Sequence, residues 1–306
     1  MGSAPARPPC ALPRAGRHCQ QERGRNAGRQ CHGATARRFP EGARMKVLVV
    51  IPARYGSHRF PGKPLHPLRR HDGSAAPLIE WTWRAGVAAA GAENVVFATD
   101  DERIARVAKG FGARVALTPE GCRNGTERCA AALAAIGPDG WGGEAEIVVN
   151  LQGDSPLVPP EMIHALLAAF DDPATAVATP CIRCDEAQAR LVLDECAAGR
   201  VGGTCVVARG DGTAAYFSKR PIPFGAPSAM PLRLHVGLYA YRRAALDRYV
   251  ALGPCELELA EGLEQLRFIH AGLPVTLVDV PAPPGGLWEV NNPEDVRVVE
   301  EMLPQG

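Results

Sequence analysis

From residue 45 onward the apolar positions fall into short continuous runs that alternate with segments of helical spacing. "KVLVVI" (46–51) is an unbroken, largely β-branched run, whereas "LIEWTWRAGVAAAG" (78–91) repeats its apolar residues at helical intervals. "NVVFATD" (94–100) predicts a second strand, "DERIARVAKGFG" (101–112) an amphipathic helix with Gly near its end, and "RVALT" (114–118) a third strand. "GTERCAAALAAIG" (125–137) then reads as helix, "EIVVNLQGD" (146–154) as a fourth strand, and "PPEMIHALLAAF" (159–170) as a helix with Pro in its first turn. Apolar strands spaced by helices predict a doubly wound, mostly parallel α/β sheet, with ligands at the carboxyl ends of its strands. Those ends carry Arg54, Asp100 and Asp154. Between about 175 and 241 the pattern shortens into strand-like pieces, "TCVVAR", "AAYFSK" and "HVGLYAYR", which predict an antiparallel extension of the sheet.

Residues 1–44 break this pattern. They are rich in Arg, Pro, Gly and Ala and nearly free of aliphatic side chains, so burial cannot offset the cost of ordering them, and disorder is expected. Three readings stay open for this segment: coding sequence upstream of a natural start at Met45, a basic tail that binds a partner, or an Arg-rich targeting segment. The domain organisation is therefore a tail, 1–44, followed by one domain, 45–306. With 306 residues and 46% apolar content the chain can bury a large core. A formal net charge of +1 argues against a nucleic-acid or anionic-membrane partner, and no apolar run reaches the length of a membrane span. Ten Cys without a secretory leader point to reduced thiols in a cytoplasmic protein, and Cys181-x-x-Cys184 lacks the second pair of a zinc ribbon.

The chemistry concentrates after the first strand. "IPARYGSHRFPGKPL" (51–65) holds Arg54, Arg59 and Lys63 on a Gly-rich segment, but it is not the ATP-binding loop G-x-x-x-x-G-K-[ST]. Five residues separate Gly56 from Gly62, and Pro64 stands where that loop carries its metal-binding hydroxyl. Loop amides together with three cations suit a polyphosphate. Asp154, closing "VVNLQGD", faces the same crevice and suits Mg²⁺. Together they predict a nucleoside triphosphate site without a conventional phosphate loop.

These segments, with "NGTERCA" (124–130), "VVNLQGDSPLVPPEMI" (148–163), "YFSKRPIPF" (216–224), "LELAEGLEQLRFIHAGLPV" (257–275) and "NNPEDV" (291–296), resemble consecutive blocks of the CMP-Kdo synthetase family, Kdo being 3-deoxy-manno-octulosonate. Phosphonate cytidylyltransferases, such as those acting on phosphonoformate, resemble the same family. The resemblance implies a GT-A-like fold, a homodimer, and Mg²⁺-dependent transfer of CMP from CTP to a small anionic acceptor. It implies that Arg54, Arg59 and Lys63 grip the triphosphate, that Gln152 lies near nucleotide or acceptor, and that Asp154 ligates the metal. It also implies acceptor contacts from Arg128, His235, Tyr239, Glu264 and Gln265.

Three departures bear on the acceptor. Ser155 stands where the family has Glu, Cys205 where it has Lys, and Asn291 where it has the Asp that serves as second metal ligand. An Asn oxygen ligates Mg²⁺ without bringing charge. A sugar hydroxyl needs activation by a metal or base, whereas a phosphonate oxygen is already anionic. On that reasoning the expected acceptor is a phosphonate such as phosphonoformate, with Kdo as the alternative. The expected mechanism is in-line attack on the α-phosphorus of CTP with loss of pyrophosphate, with Arg54, Lys63 and Asp154 as catalytic residues. A reading from another class, a nucleotide-binding homologue that lost catalysis, also stays open.

Overall fold

A computed structural model describes residues 45–56, 59–229, 231–283, 286 and 289–303. The expected tail, 1–44, lies outside the described residues, as do Ser57 and His58 of the cationic segment. β1 (Val47–Pro52) leads through a tight turn at Lys63–Leu65 into a hairpin, β2 (Pro67–Arg69) and β3 (Ala75–Pro77), which delivers α1 (Leu78–Ala90). The expected alternation follows: β4 (Val95–Thr99), α2 (Glu102–Gly110), β5 (Arg114–Leu117), α3 (Gly125–Ile136), β6 (Ile147–Leu151) and α4 (Pro160–Ala168). Local chemistry starts these helices where the sequence indicates. Asp101 accepts from the Arg103 amide at 2.8 Å to cap α2, and Asn124 accepts from the Glu127 amide at 2.9 Å to cap α3.

The second half departs from the expected run of strands. β7 (Val177–Arg183) is followed by a helix, α5 (Glu186–Ala197), before β8 (Cys205–Ala208), β9 (Ala214–Ser218), β10 (Arg233–His235) and β11 (Leu238–Arg242). The reason is a capping box: Asp185 accepts from the Gln188 amide while the Gln188 side chain accepts from the Asp185 amide. Three short helices, α6 (Arg243–Leu252), α7 (Glu256–Glu261) and α8 (Leu266–His270), then lead to β12 (Thr276–Asp279) and α9 (Asp295–Met302).

The strands form one sheet in the order β5-β4-β1-β6-β11-β7-β10-β8-β9, with β12 also paired to β7. β5, β4, β1 and β6 are mutually parallel, and β11 enters antiparallel beside β6 with Tyr239 opposite Asn150. This reversal positions the site. Because β11 runs against β6, its first residues lie beside the last residues of β6, at the same sheet edge where β1 and β4 end.

The central strands β1, β4 and β6 are buried on both faces. Along β1, Leu48 and Val50 pack with Cys129, Leu133 and Tyr241 on one side, while Val49 and Ile51 pack with Ile79, Phe97, Met162 and Ile163 on the other. A smaller cluster of Leu68, Leu78, Trp81, Val290, Val299 and Leu303 docks α9 and its leading segment onto the hairpin and α1. Full burial of each such aliphatic side chain contributes roughly 1.5–3 kcal/mol, which holds the 289–303 segment beside the sheet edge. Among the described residues no helix is long and apolar enough to cross a membrane.

Candidate active site

A cleft of about 300 Å³ opens at the carboxyl ends of the parallel strands, lined in part by Arg54, Arg59, Lys63, Arg128, Gln152, Asp154 and Asn291. Its cationic wall is built locally. Gly62 sits at φ 73°, and a Cβ there would lie 3.0 Å from the Tyr55 hydroxyl, so the turn into Lys63 needs glycine. Tyr55 is itself backed by the Arg103 guanidinium, 3.3 Å from its ring centroid. The expectation that the loop amides cradle phosphates is corrected at two positions. The Gly62 amide donates to Tyr55 O and the Lys63 amide to Phe60 O, both at 3.2 Å, so the turn consumes them. Side-chain charge is what Lys63 offers a polyphosphate.

The opposite wall is the end of β6 and the start of α3. They approach so closely that a Cβ on Gly125 would stand 2.6 Å from Gln152 Nε2, and the chain after β6 lies equally close to the end of β1, where a Cβ on Gly153 would stand 2.7 Å from Pro52 O. Asp154 emerges from this junction, and its Oδ2 accepts from Lys63 Nζ at 2.7 Å. Arg59 Nη2 donates to Asn291 Oδ1 at 3.0 Å, which brings the residue at the expected second metal position to the cleft. The Val290 amide donates to Asp154 O at 3.0 Å, so the segment carrying Asn291 runs against the backbone of Asp154.

The structure adds a carboxylate that the sequence reading did not single out. Glu289 Oε2 accepts from Asn291 Nδ2 at 3.4 Å. Burial, and then the charge of Asp154, push the Glu289 carboxyl up to about 7. The available signal was an acidic residue two positions before Asn291, a spacing that places both on one face of an extended segment. Asp154 and Asn291 line the cleft and Glu289 adjoins Asn291; their oxygens are hard donors of the kind that suits Mg²⁺. No group of three or more His, Cys, Asp or Glu side chains poised for a metal occurs among the described residues. A cation here would therefore complete its shell with substrate oxygens, as Mg²⁺ commonly does.

The residues expected at the acceptor divide. Arg128 lines the cleft but is buried and already paired, with Nη2 3.0 Å from Asp100 Oδ2 and Nη1 donating to Thr118 Oγ1 at 2.8 Å. His235, Tyr239, Glu264 and Gln265 do not line the cleft; they form a polar cluster behind Gln152. Glu264 accepts from the Thr126 amide at 2.8 Å and from Gln152 Nε2 at 3.4 Å, and burial raises its carboxyl. Tyr239 donates to Gln265 Oε1 at 3.0 Å, and burial holds its phenol well above the ordinary value. Gln265 Nε2 is buried with no partner among the described residues. The His235 ring packs 5.3 Å from that of Tyr239 at a tilt of 43° and shares a 2.9 Å hydrogen bond with Thr179, and burial pushes its imidazole down to about 3.

Cys205, where the resemblance leads to a Lys, is buried among Ala189, Val192 and Leu232. Cys181 and Cys184 are both free of disulfide bonds, with thiols raised by burial to about 12 and about 11. Sequence reading also missed the scaffold under α3. Arg267 donates to Glu258 Oε1 and Oε2, each at 2.7 Å, and to Glu127 Oε1 at 3.0 Å. Asn124 joins the same network through Tyr249 Oη at 2.8 Å.

A doubly wound sheet that presents cations and a carboxylate across one crevice at its strand ends is the arrangement of an α/β nucleotidyltransferase. A model of the cytidylyltransferase family matches residues 48–276. The chain is 42% identical to the 3-deoxy-manno-octulosonate cytidylyltransferase of Maricaulis maris, over 85% of this chain and 97% of that protein. It is 38% identical to the protein of the same name from Acidobacterium capsulatum, over 85% and 97% of the two chains. The solved structure of CMP:2-keto-3-deoxy-manno-octonic acid synthetase complexed with CTP superposes with a TM-score of 0.71 at 34% identity, covering 84% of this chain and 98% of that one. This chain belongs to the CMP-Kdo synthetase family of cytidylyltransferases.

Proposed function

We propose that the protein transfers CMP from CTP to a sugar acid of the Kdo type and releases pyrophosphate. The observation that carries the acceptor half is the composition of the cluster behind Gln152. His235, Tyr239, Glu264 and Gln265 are hydrogen-bonding groups suited to hydroxyls, and the cation among the expected acceptor residues, Arg128, is already neutralised by Asp100. A compact phosphonate presents little besides charge and would call for uncompensated cations there, whereas a sugar acid adds several hydroxyls to its one carboxylate. The names of the relatives support the same acceptor. The phosphonate expectation rests on Asn291 alone, and neither the relatives nor the cluster adds to it.

In this reading Arg54, Arg59 and Lys63 bind the triphosphate and take up the charge that grows on the departing pyrophosphate. Asp154 and its neighbours hold Mg²⁺, which when bound neutralises phosphate charge and favours ionisation of an acceptor hydroxyl. Gln152, fixed by Glu264, separates nucleotide from acceptor and orients both. His235 stays neutral near pH 7, so it serves as a hydrogen-bonding group and not as a cation. The proposal includes a cytoplasmic homodimer, testable by light scattering on the purified chain. The test of function is a grid: CTP, UTP, ATP and GTP, each with Kdo and with small phosphonates, followed by pyrophosphate release. Release confined to CTP with Kdo is the expected result. Release with a phosphonate but not Kdo would reverse the acceptor assignment.

A further inference from the structure

Asn291 stands where the resemblance implies a second metal ligand, but its side chain is engaged on both sides. Its Oδ1 accepts from Arg59 at 3.0 Å, and its Nδ2 donates toward Glu289 Oε2 at 3.4 Å. Its backbone is held as well, because the amides of Asn291 and Asn292 both donate to Asp295 Oδ2, at 2.8 and 2.7 Å. An amide tied in this way is a bridge between the cationic loop and Glu289.

Glu289 has the opposite character. Among the described residues its one side-chain hydrogen bond is that 3.4 Å contact, and it forms no ion pair. Its Oε1 packs against Gly237, where a Cβ would approach to 3.0 Å. The charged groups facing it are Asp154, Lys63 and Arg59. The Val290 amide, bonded to Asp154 O at 3.0 Å, keeps Glu289 and Asp154 side by side. Lys63 is paired with Asp154, so Glu289 is left facing a neighbouring carboxylate with no ion pair of its own, and such a pair is relieved by a cation that both carboxylates can hold.

We propose that Glu289, not Asn291, supplies the second carboxylate that holds the divalent cation with Asp154, and that Asn291 is a positioning residue linking that carboxylate to Arg59. The carboxylate has moved two positions along the chain, from 291 to 289. Two anionic ligands are thereby retained, and the sequence argument from a lost charge no longer applies to the site. This inference rests on the metal-dependent cytidylyl transfer proposed above.

The test is binding of Mn²⁺, read by electron paramagnetic resonance, to the protein saturated with CTP. Glu289→Gln keeps the shape and removes the charge, and it is expected to weaken Mn²⁺ at least tenfold. CTP affinity measured in EDTA should stay within about threefold of the unsubstituted protein, since the three cations remain. The double variant Glu289→Gly with Asn291→Asp returns the carboxylate to 291, and it should recover most of the lost affinity. Equal Mn²⁺ affinity in Glu289→Gln and the unsubstituted protein would overturn the assignment. So would a double variant no better than Glu289→Gln, because the loss would then reflect packing and not charge. An unsubstituted protein that binds neither CTP nor Mn²⁺ would instead remove the cytidylyl-transfer reading, and this assignment with it.

Discussion

Lys63 Nζ and Asp154 Oδ2 stand 2.7 Å apart across the cleft, with side chains only 11% and 27% exposed. Under the function proposed above, CTP and the metal would exchange this pair for two others, Lys63 with phosphate and Asp154 with the cation. Removing the ammonium should therefore act in opposite directions on the two ligands. Lys63→Ala is expected to tighten Mn²⁺ binding in the absence of nucleotide, and to raise KM for CTP at least tenfold while lowering kcat. Metal titration with and without CTP, alongside steady-state kinetics, checks both signs.

Asp154→Asn preserves size and hydrogen bonding but removes the charge. With Asp154 holding the metal as proposed, that loss should lower kcat/KM by about 10³, equivalent to roughly 4 kcal/mol of transition-state stabilisation. The fold should persist, because the backbone contact from Val290 to Asp154 does not depend on the side chain. Rates near those of the unsubstituted enzyme would mean that Asp154 is not the metal ligand.

Arg267, 1% exposed, neutralises Glu258 and Glu127 beneath the start of α3. Arg267→Ala leaves two carboxylates without their shared cation, which costs on the order of 3–5 kcal/mol for a broken buried pair. A fall in unfolding temperature on the order of 10 °C is expected for a domain of this size, measured by calorimetry. Replacing Glu258 together with Arg267 by apolar residues should cost less than Arg267→Ala alone.

His235 supplies a pH-dependent term. Its imidazole is pushed from 6.5 to about 3 in the folded protein, so below 6.5 the unfolded chain binds a proton that the folded chain refuses. Its effect on stability is absent above 6.5 and becomes increasingly unfavourable as pH falls from 6.5 toward 3. Between pH 7.5 and 5.5, urea unfolding should show a loss of stability that His235→Gln reduces. An identical pH dependence in both proteins would place the imidazole in a more solvated setting.

The parallel half of the fold was legible because β1, β4 and β6 are buried on both faces, which writes them as unbroken apolar runs. The amphipathic spacing of 101–112 and the helical pattern of 125–137 marked the helices between them. α5 was lost among strand-like pieces, although Asp185 and Gln188 spell its capping box; its neighbours, rich in Gly and short in period, obscured it. The pairing of β12 with β7 joins residues about a hundred positions apart and leaves no local trace. At the site, the cations and Asp154 were readable because each follows a strand end. The nearness of Glu289 to the cleft was not, since it depends on a tertiary contact that lays 289–291 against Asp154. Nor does spacing show that Tyr239 and Gln265 satisfy each other behind Gln152 instead of facing the open cleft.

The most direct test of cytidylyl transfer to a Kdo-type acid follows the label from CTP carrying ³²P at the α-phosphate, incubated with the protein, Mg²⁺ and Kdo. The label should pass to a CMP–Kdo conjugate with one unlabelled pyrophosphate released per transfer. Label remaining in CTP, or passing to a phosphonate and not to Kdo in a parallel reaction, would contradict it.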